Sequence, residues 1–143
     1  MNKLTIYCDG GSRGNPGPAA SAFIIYDQLG KILHQQGFFL GITTNNQAEY
    51  QAVIEALNWI THNQPTNNPL TFYLDSLLIT NQIKGIYKIK NPELKDKYLL
   101  IKNKLDQLSK LGQLEINFNY IPRSQNSSAD HLVNLTLDLR QNK

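Results

Sequence analysis

The sequence predicts an α/β fold, with a mixed sheet and helices packed on it. Three observations point there. Apolar and polar residues alternate at 4–9, Ser21 to Tyr26 and Lys31 to Leu40 read as two more strands, and the turn Asp27-Gln28-Leu29-Gly30 joins those two as a hairpin. The rest of the chain alternates helical and strand patterns, giving the order β-β-β-α-β-α-α-β-α, and β-α-β units bring parallel strands together. Finally, 41% of the 143 residues are hydrophobic, enough for one packed domain over 1–143. No apolar run approaches the ~18 residues of a membrane helix.

Each element has a local reason. Leu4, Ile6 and Cys8 alternate with Thr5, Tyr7 and Asp9, which is strand periodicity. The run from Gly10 to Pro18 carries four glycines and two prolines and reads as a loop. Thr44 followed three residues later by Gln47 forms a capping box. Behind it Ala52, Val53, Ala56, Leu57 and Ile60 trace one helix face, ending near His62, before Asn63-Gln64-Pro65. A strand over 70–75 ends in Asp75, and Ser76 caps a short helix to about Lys84. Asn91-Pro92 opens a second helix, with Leu94, Tyr98, Ile101, Leu105 and Leu108 on its apolar side and Gly112 at its end. A fifth strand spans 115–121, Pro122 breaks it, and a last helix runs from about Ser127 to Arg140.

Composition narrows the function. The lone Cys8 excludes an internal disulfide and a multi-cysteine zinc site. No signal-peptide core follows Met1, so a cytoplasmic location is expected. Asn126 and Asn134 each open an Asn-x-Ser/Thr triplet, which in such a chain is a chance match. Asn and Gln together number 27 against 25 charged residues, so the surface is polar more than charged. The charge is also uneven: Lys84 to Lys110 holds eight lysines and three acids, a local +5 against +3 for the whole chain. Such a stripe suits a polyanion, although a solvated helix face explains it equally simply.

With so few acids, the position of each is informative. Asp9 and Asp75 both end strands, where sheets of this class gather ligands; a turn-initiating role is the plain alternative. Glu49 falls on the apolar face of the first long helix, where a carboxylate must be paired or bind metal. Asp130 lies in the first turn of the last helix, where Ser127-Ser128-Ala129-Asp130 also fits a capping box. Four converging carboxylates without His or Cys would make a hard, oxygen-rich site for Mg²⁺ or Mn²⁺. Two such ions can drive an in-line phosphoryl displacement.

Four segments then resemble one family. Tyr7-Cys8-Asp9-Gly10-Gly11-Ser12-Arg13-Gly14-Asn15-Pro16-Gly17, Thr44-Asn45-Asn46-Gln47-Ala48-Glu49, Leu74-Asp75-Ser76 and Asn126-Ser127-Ser128-Ala129-Asp130 are together similar to ribonuclease H type 1. The resemblance covers essentially the whole chain. It implies a ribonuclease H-like fold, a five-stranded mixed sheet with three antiparallel and two parallel strands. It also implies a Mg²⁺-dependent endonuclease with two ions per site, Mn²⁺ substituting. The RNA strand of RNA–DNA hybrids would be cut to 3′-hydroxyl and 5′-phosphate ends. By similarity, Asp9 bridges both ions and Asp75 shares the nucleophile-side ion. Glu49 and Asp130 complete the leaving-group side, with Glu49 also near a ribose 2′-hydroxyl. Gly11, Ser12, Asn15, Asn45, Asn46 and Gln47 would contact the RNA strand; first-turn capping is the alternative for the two helix asparagines.

The chain also departs from the family. It lacks the basic protrusion of many members, and Lys88 and Lys90 are expected to take over part of the hybrid contact. Only three residues precede Leu4, so a separate hybrid-binding domain before the first strand is not expected. The loop 122–129 lacks the usual turnover histidine, His131 follows Asp130, and Arg123 is the candidate substitute. No membrane and no obligate protein partner are expected. Two alternatives stand beside this reading: a catalytically weak nucleic-acid-binding module of the same fold, and a related nuclease acting on RNA–RNA duplex.

Overall fold

The computed structural model describes residues 3–63, 68–113 and 115–141. Three strands come first: β1 (Leu4–Ser12), β2 (Gly17–Tyr26) and β3 (Ile32–Thr43). Helix α1 (Asn45–Asn63) leads to β4 (Leu70–Leu74). Helices α2 (Leu77–Ile83) and α3 (Pro92–Lys110) precede β5 (Ile116–Tyr120). A 3₁₀ turn (Arg123–Gln125) then feeds α4 (Ser127–Gln141). The strands form one sheet in the order β3-β2-β1-β4-β5. The β1–β2 and β2–β3 pairs are antiparallel, and β1–β4 and β4–β5 are parallel. This is the expected mixed sheet.

Caps fall where the sequence places them. Ser76 accepts from the Ile79 N–H at 3.2 Å and Asn91 from Leu94 at 3.1 Å. Thr44 Oγ1 accepts from Gln47 N–H at 3.2 Å, but the Gln47 side chain reaches across to Glu93 of α3. Gly112, at φ 98°, follows the last turn of α3. The Gln64-Pro65 breaker expected after α1 lies outside the described residues.

Strand bounds differ by more than one residue at three points: β1 runs past Asp9 to Ser12, β2 starts at Gly17 rather than Ser21, and β3 continues past Leu40 to Thr43. The glycine-rich stretch expected to be loop from Gly10 to Pro18 is mostly strand, because Gly10, Gly11 and Ser12 pair with Ser21, Ala20 and Ala19. Antiparallel pairing overrides the weak local strand preference of glycine. The connection shrinks to residues 13–16.

Two layers cover the sheet. Alternate residues of β2 face opposite sides. Phe23 and Ile25 join Leu4, Ile6, Cys8 and the α1 stripe of Val53, Leu57 and Ile60 in the main core. On the other side Ala20 and Ala22 receive Val133 and Leu137 of α4. Helix α3 packs outside α1 through buried Leu94, Ile101 and Leu108. Two lysines of the basic stripe turn into this seam: Lys97 donates to Gln51 at 2.8 Å and Lys104 to Asn58 at 2.5 Å. Cys8 is fully buried, and Trp59 stacks on His34 with centroids 4.8 Å apart, so both pack the interior. Among the described residues, no helix is long and apolar enough to cross a membrane.

Gly10 stands where β1 and α1 approach backbone to backbone. A Cβ there would overlap the Ala48 carbonyl and stand 2.5 Å from Glu49 N. The absent side chain lets β1 and α1 touch. Gly10→Ala is therefore expected to destabilise the protein by about 1–3 kcal/mol, measured by urea denaturation. Gly30→Ala, which meets no atom within 4 Å but has φ +84°, should cost only about 1 kcal/mol.

Candidate active site

The parallel pairing of β1 with β4 brings the first two acids together. Its register aligns Tyr7 with Tyr73, so Asp9 and Asp75 each lie two residues further along their chains. Asp75 leaves the end of β4 just before the Ser76 cap of α2. The Gly10 contact sets α1 directly against β1, and Ser21 Oγ donates to the Ala48 carbonyl at 2.6 Å, fixing the same point from β2. Glu49, one residue on, is thereby aimed at Asp9.

One oxygen each from Asp9, Glu49 and Asp75 lies within 4.8 Å of the other two. Asp9 and Glu49 are each only 6% exposed, and Asp75 is half-buried. Burial, then the charges of Asp75 and Asp130, push Asp9 up to about 8, against smaller opposing effects of the Gly10 N–H and Arg123. Burial and the charges of Asp9 and Asp75 hold Glu49 well above the usual carboxylate range. Burial, then the charges of Glu49 and Asp9, raise the Cys8 thiol, which stays neutral.

The cluster fits a cation. Glu49 Oε2 is buried and has no hydrogen-bond partner. Three carboxylates around an orphaned oxygen form a hard donor set, and a divalent ion would satisfy that oxygen while neutralising the cluster. Among the described residues this is the one group of three or more acidic, His or Cys side chains so placed.

Asp130 stands apart from this trio. It is half-buried in the first turn of α4, and lines an adjoining cleft with Asp9, Ser12 and Arg123. Its charge reaches Asp9. Arg123, exposed on the 3₁₀ turn, borders both this cleft and the larger one of about 380 Å³ beside Glu49 and Asp75.

The polar residues expected to meet the RNA strand form an interlock. Asn45 Oδ1 accepts from the Ser12 backbone N–H at 2.8 Å and from Ser12 Oγ at 3.1 Å. Asn15 Oδ1 in turn accepts from the Asn45 N–H at 3.0 Å. Both amide oxygens are thus spent on backbone, which ties the 13–16 loop to the start of α1. Asn46 borders the Glu49–Asp75 cleft, and Gly11 lies near Asn45. Gln47 points instead to Glu93. Lys88 and Lys90 are exposed on the segment between α2 and α3.

Sequence reasoning missed Asn126 as a site residue. Its Nδ2 donates to the Cys8 carbonyl and to Asp75 Oδ2, both at 2.9 Å. It is 1% exposed, which closes its Asn-x-Ser triplet to glycosylation. Its signal was its place at the head of the Asn126–Asp130 segment, and a helix-start residue explains that as well.

A family model for RNase H matches residues 1–137. The chain belongs to the RNase H family. It is 36% identical over 136 residues to ribonuclease HI of Halobacterium salinarum, covering 95% of this chain and 65% of that protein. It is 33% identical to the bifunctional protein Rv2228c of Mycobacterium tuberculosis, over 95% of this chain but 36% of that one. The chain thus spans about a third of the length of the mycobacterial relatives it matches. Among solved structures, LC11-RNase H1, isolated from compost by a metagenomic approach, superimposes with a TM-score of 0.89 at 40% identity, covering 99% of both chains. The same RNase H1 has been solved in complex with RNA/DNA hybrid, with a TM-score of 0.87 at 38% identity, over 97% of this chain and 99% of that one.

The raised carboxylates set a pH dependence. Asp9 and Glu49 bind protons more tightly folded than unfolded, so their contribution to stability falls as pH rises above the ordinary carboxylate range, for Asp9 through about 8. Asp9→Asn removes the Asp9 part. In chelator, its Tm should match wild type near pH 5 and exceed it by roughly 5 °C at pH 8. Calorimetric melts across that range check this.

Proposed function

We propose that this chain is a ribonuclease H that hydrolyses the RNA strand of RNA–DNA hybrids, leaving 3′-hydroxyl and 5′-phosphate ends. The observation that carries the proposal is the Asp9–Glu49–Asp75 cluster in an RNase H-family chain. The hybrid complex of LC11-RNase H1 supports the choice of substrate. We read residues 1–143 as one catalytic domain, working in the cytoplasm.

Bound Mg²⁺, or Mn²⁺ in its place, two ions per site, supplies activation of water and neutralises charge on the leaving oxygen. The chain's own residues do the rest. Asp9 and Asp75 hold the nucleophile side. Glu49, with Asp9 and Asp130, holds the leaving-group side. Their mutual repulsion makes the empty cluster a poor anion site and a good cation site, so phosphate is admitted only with metal. The Asn15–Asn45–Ser12 interlock leaves both asparagine Nδ2 groups as outward donors, suited to ribose and base acceptors of the RNA strand. Gly11 keeps the strand backbone accessible, and Asn46 and Gln47 extend the polar edge. Lys88 and Lys90 contact phosphates of the hybrid. Arg123, facing Asp9 and Glu49 across the clefts, takes the turnover role that a loop histidine has in other members.

Two outcomes follow. Asp9→Asn should abolish Mg²⁺-dependent cleavage of a labelled hybrid while leaving hybrid binding largely intact. An absence of wild-type cleavage with either metal defeats the enzyme reading, and equal cleavage of hybrid, RNA duplex and single-stranded RNA defeats the substrate assignment. Replacing Lys88 and Lys90 together by Gln should reduce the slope of log K against log[salt] by about 1.4–1.8. An unchanged slope returns those lysines to a solvated surface.

A further inference from the structure

The fold holds Asp75 through a single buried amide. The β1–β4 ladder ends at Tyr7 and Tyr73, just short of the two acids. There the Asn126 side chain bridges the two strands, donating one proton to the Cys8 carbonyl and the other to Asp75 Oδ2. Its backbone ties in the remaining elements. Asn126 N–H donates to the Arg123 carbonyl at 3.0 Å, and Asn126 O accepts from Asp130 N–H at 3.1 Å. One residue thus joins β1 beside Asp9, the end of β4, the Arg123 turn and the α4 turn that carries Asp130.

The amide has only one chemically sensible orientation. Rotated by 180°, its oxygen would face a carbonyl and a carboxylate, both acceptors. In the orientation present, Asn126 Oδ1 is buried without a hydrogen-bond partner. A buried unsatisfied oxygen destabilises a fold, so stability alone does not account for an asparagine at this position. Donation to Asp75 does account for it. The bond holds Asp75 Oδ2, and with it a carboxylate that has an oxygen within 4.8 Å of oxygens of Asp9 and Glu49.

We infer that Asn126 is a positioning residue that sets the Asp75 carboxylate for metal binding, a role that rests on the hydrolase reading above. It touches neither substrate nor metal. It fixes the spacing between β1 and β4 at the level of the acids before any ion binds, as partners of metal ligands commonly do.

The test is a Mn²⁺ titration of the nucleic-acid-free protein by calorimetry, beside hybrid-cleavage kinetics and thermal melts. In Asn126→Ala, Mn²⁺ affinity should fall about tenfold or more. The kcat should fall at fixed metal and recover as Mn²⁺ is raised, with KM for hybrid within about twofold of wild type. Asn126→Ser keeps one donor and should lose less on both measures. It also decides the matter by the same criteria if the Ala variant does not fold. Unchanged Mn²⁺ affinity alongside a lower Tm or activity would make Asn126 merely structural and overturn the inference. Wild type that binds Mn²⁺ yet cleaves no hybrid defeats the hydrolase reading instead, and leaves the affinity comparison to decide the role of Asn126.

Discussion

Two parallel strands, β1 and β4, lie side by side at the centre of the sheet, and the rest of the molecule is arranged around that pairing. Parallel neighbours need a long crossover. Here β2, β3 and α1 intervene, and α1 returns the chain across the sheet. Parallel direction also places both C-terminal ends at one edge, so Asp9 and Asp75 converge. The returning helix passes so close to β1 that Gly10 is required at the contact, and Glu49 arrives as the third acid. The carboxylate cluster is therefore a consequence of topology. No local preference would assemble it, since the three charges repel and two are nearly dry.

That repulsion is the property the site uses. Burial and like charge hold Asp9 and Glu49 partly in their neutral forms when no ion is bound. A divalent cation held by these acids would reverse the balance, because it would favour the ionised forms and satisfy the orphaned Glu49 oxygen. Asn126 and Arg123 act on the same balance from one short turn. Asn126 orients Asp75 with a neutral donor, and Arg123 lends a distant positive charge. Elsewhere the framework spends its hydrogen bonds on holding the loop of residues 13–16 to α1, so the polar edge beside the acids is built before a ligand arrives.

The sequence disclosed the parts of this arrangement that follow a period. Glu49 was legible because helical spacing back from Ala52, Val53 and Ala56 lands on it. Asp9 and Asp75 were legible as strand ends. Ser76 and Asn91 were legible as caps because capping is local chemistry. The extension of β1 through Gly10–Ser12 was hidden, since glycines read as loop until β2 is present to pair with them. Asn126 was hidden for a similar reason: its partners are 118 and 51 residues away in sequence. Asp130, a helix-start acid by sequence, lies beside the trio, with its backbone N–H on the Asn126 carbonyl. The turn of Lys97 and Lys104 into the α1–α3 seam divides the basic stripe in a way that charge counting does not reveal.

The acids form a crowded, partly protonated cluster that a divalent ion would complete. Proton release on metal binding tests this most directly. Calorimetric titration of the metal-free protein with Mg²⁺ near pH 7, repeated in two buffers of different ionisation enthalpy, counts the protons released. Saturable binding is expected, with release on the order of one to two protons per cluster filled, reduced in Glu49→Gln. Saturable binding with no proton release, or no binding at all, would contradict this picture.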